Sequence, residues 1–264
     1  YLSHPSTTAN QPRNTVYSDD AVWQTLIETY HGKYRFQPTA KLSGESLLTY
    51  ANYEVLPDSN FTNSFANFKG FKYSHGDKLE FQQQLDYKLN DDHRVTGGLN
   101  LKKYHSIPKT ADLSSPYNTD LEANQQRFFY IGTNNTLPLK IYDINYESYG
   151  SYLNFQSRWN EWFSTSAGVR ADYDTRFGET INPRVGLIFD PTSQTVVKVL
   201  YGESFLAPAP YFAYSHFGSF NGTTNASGQY VANFFQIPNP GLKPEKSRTL
   251  ELDLSHNVTS NFIL

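Results

Sequence analysis

A ten-residue stretch, YFAYSHFGSF, gathers the side chains best suited to gripping a small molecule: Tyr211, Phe212, Tyr214, His216, Phe217 and Phe220. Aromatic rings offer large contact areas with few rotatable bonds, which suits stacking on a conjugated or sugar-like ligand. The same rings would serve equally to pack neighbouring loops together. His216 adds a nitrogen able to meet iron or haem, or simply to make a hydrogen bond. Two carboxylate pairs, Asp19 with Asp20 and Asp91 with Asp92, raise calcium binding. Each pair falls short of the roughly six to eight oxygens that ion takes, and Asp91–Asp92 reads better as a turn, where Asp bonds local backbone. Neither a metal site nor a cofactor is expected. Nucleophile elbows, glycine-rich phosphate loops and metalloprotease helices are all missing from the sequence, and without cysteine no thiolate site can form. A glycosidase's two carboxylates need not be near each other in the chain, so glycan cleavage stays open on the residues alone. The expectation is a binding protein, not an enzyme.

Charge and hydropathy narrow the classes further. The net charge is −3 with no cluster of Lys and Arg, which argues against a nucleic-acid surface. Aromatics make up 16% of the chain, led by 20 Tyr and 19 Phe, yet no window reaches the roughly 20 apolar residues of a membrane-spanning helix. A strand barrel escapes that test because it spends only every second residue on its apolar face. The first residues, YLSHPSTTAN, lack the basic and apolar regions of a signal peptide, and the last, TSNFIL, read as a strand cut short. Both ends are expected to be cuts inside a larger protein.

The elements that must position these residues are strands. In KLEFQQQLDYK, Leu79, Phe81, Leu85 and Tyr87 share one face, while Glu80, Gln82, Gln84 and Asp86 share the other. RVTGGLNLK, FSTSAGVRADY and TLELDLS repeat the period of two. Adding the segments around 21–34, 41–53, 146–157, 183–190 and 196–205 and the final fragment gives about ten strands. Tight turns at 89–92, 158–161, 191–194 and 257–260 alternate with long connectors near 54–76, 105–145, 175–182 and 207–246. Alternation of short and long connectors puts the long loops at one end of an up-and-down antiparallel sheet, as in outer-membrane barrels. Loops of that length usually carry function or are disordered. Tyr53, Tyr73, Tyr104, Tyr146 and Tyr173 are placed to form interfacial girdles. Glu80, Asp86, Arg170, Asp172, Arg184, Lys198, Glu251 and Asp253 are expected to line a polar lumen.

Two segments flank the long 207–246 connector. YGESFLAPAP leads into it, and NPGLKPEKSRTLELDL leads out. Their prolines fix φ and withhold N–H donors, so the chain can leave and rejoin a sheet without extending it early. Tyr201, Gly202, Phe205 and Pro208 in the first segment resemble the ascending strand of TonB-dependent outer-membrane receptors. Asn239, Pro240, Leu242, Pro244, Glu245 and Glu251 in the second resemble the returning strand. GVRADY and INPRVGLIFDP are similar to the hairpin that precedes them, with Gly168, Arg170, Asp172, Pro183 and Arg184 in place. Leu206 departs from the pattern, since many members carry Arg there, and residues 1–140 share only the rhythm of the strands.

The resemblance implies a partial transmembrane β-barrel: about ten strands from a barrel of about 22, whose lumen a separate N-terminal plug would close. Residues 1–264 would then be a middle portion of the barrel domain, without the plug and the last strands. It also implies an outer-membrane location, lipid around the barrel, capture of a scarce small molecule such as a ferric siderophore or other metal chelate, and a TonB complex acting through the plug. On the residues alone, a passive porin or adhesin barrel and a soluble glycan-binding β-sandwich remain open.

Overall fold

The computed structural model describes residues 21–62, 69–110, 113, 115–126, 141–215, 217–228, 230–259 and 262–263. The strands, in chain order, are β1 (Thr25–Phe36), β2 (Leu42–Val55), β3 (Asn60–Thr62), β4 (Lys69–Phe71), β5 (Ser74–Lys88), β6 (His93–Ile107) and β7 (Ile144–Asn160). There follow β8 (Phe163–Asp174), β9 (Gly178–Thr192), β10 (Thr195–Leu206), β11 (Phe217–Thr224), β12 (Tyr230–Gln236), β13 (Glu245–Thr259) and β14 (Phe262–Ile263), with one short helix, α1 (Pro210–Tyr214). Ten of these strands form one antiparallel sheet in the order β1-β2-β5-β6-β7-β8-β9-β10-β13-β14. They coincide with the ten periodic segments of the sequence. The sheet is open: β1 and β14 are its edges, as befits part of a barrel wall. Two small hairpins, β3–β4 and β11–β12, stand apart from it and carry too few alternating residues to be read beforehand.

One end of the sheet is turned by residues 37–41, 89–92, 161–162 and 193–194. At the other end, β2 connects to β5, β6 to β7 and β10 to β13 through long segments. The fourth connection at that end corrects an expectation. The 175–182 segment is not a long loop, because β8 and β9 are joined by Thr175–Phe177 alone and β9 already begins at Gly178. Gly178 adopts φ of 87°, which supplies the tight reversal, and Pro183, taken as a strand start, lies within β9 just past the last β9–β10 pair, Arg184–Gly202. Proline's missing N–H is tolerated at such a position.

The register assigns the two faces. Phe81, Leu101, Tyr149 and Tyr173 form one rung, and Tyr87, Val95, Phe155, Ala167, Val185, Tyr201 and Leu250 another on the same side. The opposite side carries the rung Asp86, Thr96, Asn154, Gly168, Arg184, Gly202 and Thr249, and all eight residues expected to line the lumen fall on it by alternation. Exposure then inverts the pattern of a water-soluble sheet. Leu79, Phe81, Leu99, Leu101, Leu153 and Val169 are exposed, whereas Glu80 is 5% and Asp172 9% exposed. Apolar residues face outward, while on the other face Glu80 and Asp172 are enclosed, Asp86, Arg170 and Lys198 are half-buried, and Arg184, Glu251 and Asp253 stay exposed toward the open edge, the arrangement of a wall between hydrocarbon and a polar lumen. A soluble β-sandwich would bury the opposite face.

The buried apolar cluster among the described residues sits beneath the long connectors. Tyr73, Ile107, Leu113, Tyr117, Ala123 and Ile141 pack together there, with Phe71 against them. Tyr73 and Tyr117 stack with centroids 3.9 Å apart. Burial, and next the hydrogen bond that Tyr73 donates to Glu54 at 2.9 Å, push the Tyr73 hydroxyl well above its ordinary pKa; burial raises Tyr117 as well.

Candidate functional site

Three layers stack from the body of the sheet up to its long-loop end. The lowest is the polar wall. Glu80 of β5 accepts hydrogen bonds from Gln82 Nε2 at 2.6 Å and Asn100 Nδ2 at 2.7 Å, with Lys78 and Lys102 as ion-pair partners. On β8, Arg170 donates from Nε and Nη2 to Asp172 at 2.8 and 2.6 Å, a bidentate pair. Asp86 accepts from Thr96 at 2.7 Å and Gln84 at 2.9 Å. An enclosed carboxylate needs such partners, because removing one from water unpaired is costly. Glycines make room for these groups. A Cβ at Gly150 would lie 2.5 Å from Asp172 Oδ1 and 2.6 Å from Arg170 Nη2. One at Gly98 would strike the Tyr152 ring at 2.7 Å, and that ring crosses the wall to donate to Gln84 at 2.8 Å.

The middle layer is centred on Arg176, in the short β8–β9 turn. Its Nε donates to Asp174 Oδ1 at 2.9 Å, its Nη2 to Asp174 Oδ2 at 3.0 Å, and its Nη1 to the Pro208 carbonyl at 3.1 Å. The guanidinium lies 3.8 Å from the centroid of Tyr146, which stacks on Tyr104 at 4.5 Å. Planar, fork-shaped and always charged, Arg serves a carboxylate, a carbonyl and an aromatic face at once. It ties the turn to Pro208, where the long β10–β13 connection departs. Tyr73, Tyr104 and Tyr146 are therefore not girdle residues: Tyr73 is in the loop cluster, and Tyr104 and Tyr146 follow the enclosed face. Tyr173 is exposed beside Tyr149 on the apolar face, with centroids 6.4 Å apart, whereas Tyr53, though exposed, pairs with Gly76 on the side of Glu80 and is not a girdle residue either.

The upper layer holds the aromatic residues singled out in sequence. Pro210 starts α1, and Tyr211 and Phe212 are exposed on it as a T-shaped pair 5.4 Å apart. Tyr214 packs on Tyr142 at 5.3 Å, a contact between two different loops. Phe217 and Phe220 lie on β11, opposite Gln236 and Ala232 of β12. His216 lies outside the described residues, as do Asp19 and Asp20. Asp91 and Asp92 form the β5–β6 turn, where Asn90 Oδ1 accepts the N–H groups of Asp92 and His93 at 3.0 and 2.9 Å.

The motif residues adjoin across β10 and β13. Tyr201 pairs with Leu250, Gly202 with Thr249, and Leu206 with Glu245, so the return strand begins opposite the last residue of the ascent. Asn239 closes the turn before it: its Oδ1 accepts the Gly241 N–H and its carbonyl accepts the Leu242 N–H, both at 3.2 Å. Pro240 supplies the fixed φ of that turn, and Pro244 directly precedes the strand. Phe205 meets Phe177 edge-on at 6.2 Å. Glu251 pairs in register with Leu200, on the polar face.

Sequence reasoning missed Arg176 and a group formed by His75, Asp77, His105 and Asp143. For the first, the cue is an Arg two residues beyond an Asp at a strand end. For the second it is His-Gly-Asp, which at period two places His75 and Asp77 on one face.

Comparison with known proteins agrees with this geometry. The family model described as TonB dependent receptor-like, beta-barrel, matches residues 2–262. A ferric enterobactin receptor mutant from Pseudomonas aeruginosa superposes with a TM-score of 0.65 at 17% identity, covering 90% of this chain and 33% of that one. The siderophore receptor PirA from Acinetobacter baumannii gives 0.61 at 13% identity, covering 88% and 32%. The RagAB peptide transporter gives 0.50 at 16%, covering 88% and 28%. The chain thus spans about a third of the solved proteins it matches. No curated protein sequence matches it significantly. With the matched family model covering nearly every residue and an open, inverted antiparallel sheet to go with it, the chain belongs to the β-barrel family of TonB-dependent receptors.

Proposed function

We propose that this chain is part of an outer-membrane barrel that takes up a scarce small molecule, with a ferric siderophore or similar metal chelate as the leading class. Energy would come from a TonB complex acting through a plug domain carried elsewhere in the same protein. One observation carries the reading: the apolar face is exposed while the opposite face carries the charges, encloses Glu80 and Asp172, and leads up to long, aromatic-bearing loops. Lipid outside and a polar passage inside account for both faces at once. Siderophore receptors among the similar structures support the ligand class, and the exposed Tyr211–Phe212 pair offers a stacking surface to a conjugated chelator. Long external loops near 54–76, 105–145 and 207–246 are the capture elements in this reading.

The test is uptake by cells carrying the complete receptor, with ferric siderophores, haem, cobalamin, oligosaccharides and peptides offered separately. One ligand is expected to accumulate only when TonB is present and to bind the purified receptor. Accumulation that is equal with and without TonB would instead establish a passive porin.

A further inference from the structure

The molecule carries a second polar constellation, on the face opposite the lumen. His75 Nε2 lies 3.0 Å from Asp77 Oδ2, and His105 Nδ1 lies 3.3 Å from the same oxygen. Each of the three residues has a ligating atom within 4.8 Å of the others'. Two imidazoles and a carboxylate form a donor set suited to zinc, copper or nickel, and the two shorter separations approach the edge of a zinc tetrahedron, about 3.3 Å. His105 Nε2 is 2.7 Å from Asp143 Oδ1. A carboxylate on the far nitrogen of a ligating histidine fixes its tautomer and ring orientation, the usual supporting arrangement in metal sites. His105 thus stands between two carboxylates, yet a neutral imidazole has one N–H for two acceptors. With the proton on Nε2 toward Asp143, the Nδ1 lone pair points at Asp77, and a cation can sit between them.

Register locates the constellation. Asp77, His105 and Asn145 form a rung on the side of Leu79, Phe81 and Leu101, two rungs beyond Phe81, Leu101 and Tyr149. Four residues along a strand span about 13 Å, which sets the group past the aromatic border of the apolar band. It is reachable from water, at 20% exposure for His75, 28% for Asp77 and 33% for His105. His105 and Asp143 also border an open cleft that Glu122, Asn124 and Asn145 line with further oxygens.

We infer that His75, Asp77 and His105 form a binding site for one divalent transition ion of the zinc class, with Asp143 as the positioning residue on His105 and water completing the coordination. His75 follows the β2–β5 connection, and His105 and Asp143 bracket the β6–β7 connection. The ion therefore braces the bases of two long loops and is distinct from any cargo passing through the lumen.

The experiment titrates zinc chloride alone into the complete, chelator-stripped receptor in detergent, followed by calorimetry. One equivalent is expected to bind at micromolar concentration or tighter, unaffected by millimolar calcium or magnesium. H75A with H105A is expected to lose that equivalent, D143N to weaken it by about 10- to 100-fold, and H31A on β1 to leave it unchanged. Zinc binding that is absent, indifferent to H75A with H105A, or displaced by calcium would overturn the site. If the double variant fails to fold, X-ray absorption of the zinc-loaded wild type decides: two imidazole nitrogens in the coordination sphere support the site, and none refutes it. No uptake is read, so this result and the transport reading stand or fall separately.

Discussion

The sheet and the loops above it bury opposite things. Between the turns and the loops, Leu99, Leu153 and Val169 are exposed while Glu80 and Asp172 are enclosed. A few rungs higher, Leu113 is 1% and Tyr73 4% exposed, as in a water-soluble core. The same chain therefore obeys two solvents. The loop region excludes water from apolar groups, whereas the strand region saves its enclosed space for hydrogen-bonded charges and presents hydrocarbon outward. Each region follows the ordinary transfer preference of its side chains, and only the medium differs.

The contrast can be broken most directly at Leu113. Leu113→Ala is expected to cost about 2 to 5 kcal/mol of local stability beneath the loops, while Leu99→Ala on the apolar face costs far less. Hydrogen exchange of the loop amides in the complete receptor reads both, and equal losses would erase the distinction. Charge provides the next test. Leu99→Arg is expected to destabilise bilayer insertion by about 2 to 4 kcal/mol near the midplane, with Asn100→Arg, one residue on and facing the lumen, costing much less. Refolding into vesicles measures this, and similar penalties would reverse the assigned faces.

Within the wall, Gly150→Leu should displace the Arg170–Asp172 pair and cost about 1 to 3 kcal/mol by overpacking, whereas Gly202→Ala, with open space at its Cβ, should be nearly silent. Thermal melts of the receptor would show the difference. The smallest expected effect is at the junction of the two regions. Arg176→Lys keeps the charge but loses the fork that serves Asp174 and the Pro208 carbonyl together, at about 1 to 2 kcal/mol. Faster proteolysis of the β10–β13 connection in this variant, with the sheet intact, is the expected signature.

Much of the wall was legible beforehand because period-two alternation is local. Ten segments could be found, and the eight charged residues could be assigned to one face, from spacing alone. The 175–182 connector was misread, since Gly and Pro mark a short turn and a long loop alike, and Gly178 and Pro183 look the same in either. Tyr53, Tyr73, Tyr104 and Tyr146 do not join the expected girdle, because an aromatic residue near a strand end fits a lipid border, a lumen face and a loop core equally well. Of the aromatic cluster, Tyr211 and Phe212 are exposed together, while Tyr214 makes the loop contact that was its competing use.

By itself, then, the sequence determined the strands, their two unlike faces and the proline-stiffened passage from Asn239 to Glu245, all of which depend on residues a few positions apart. Tertiary structure decided which face is enclosed, because alternation is symmetric under exchange of inside and outside. It also decided the contacts that span the chain, among them Arg176 with Pro208, and His105 with Asp77 and Asp143. Those depend on strand register, which no short stretch of residues encodes.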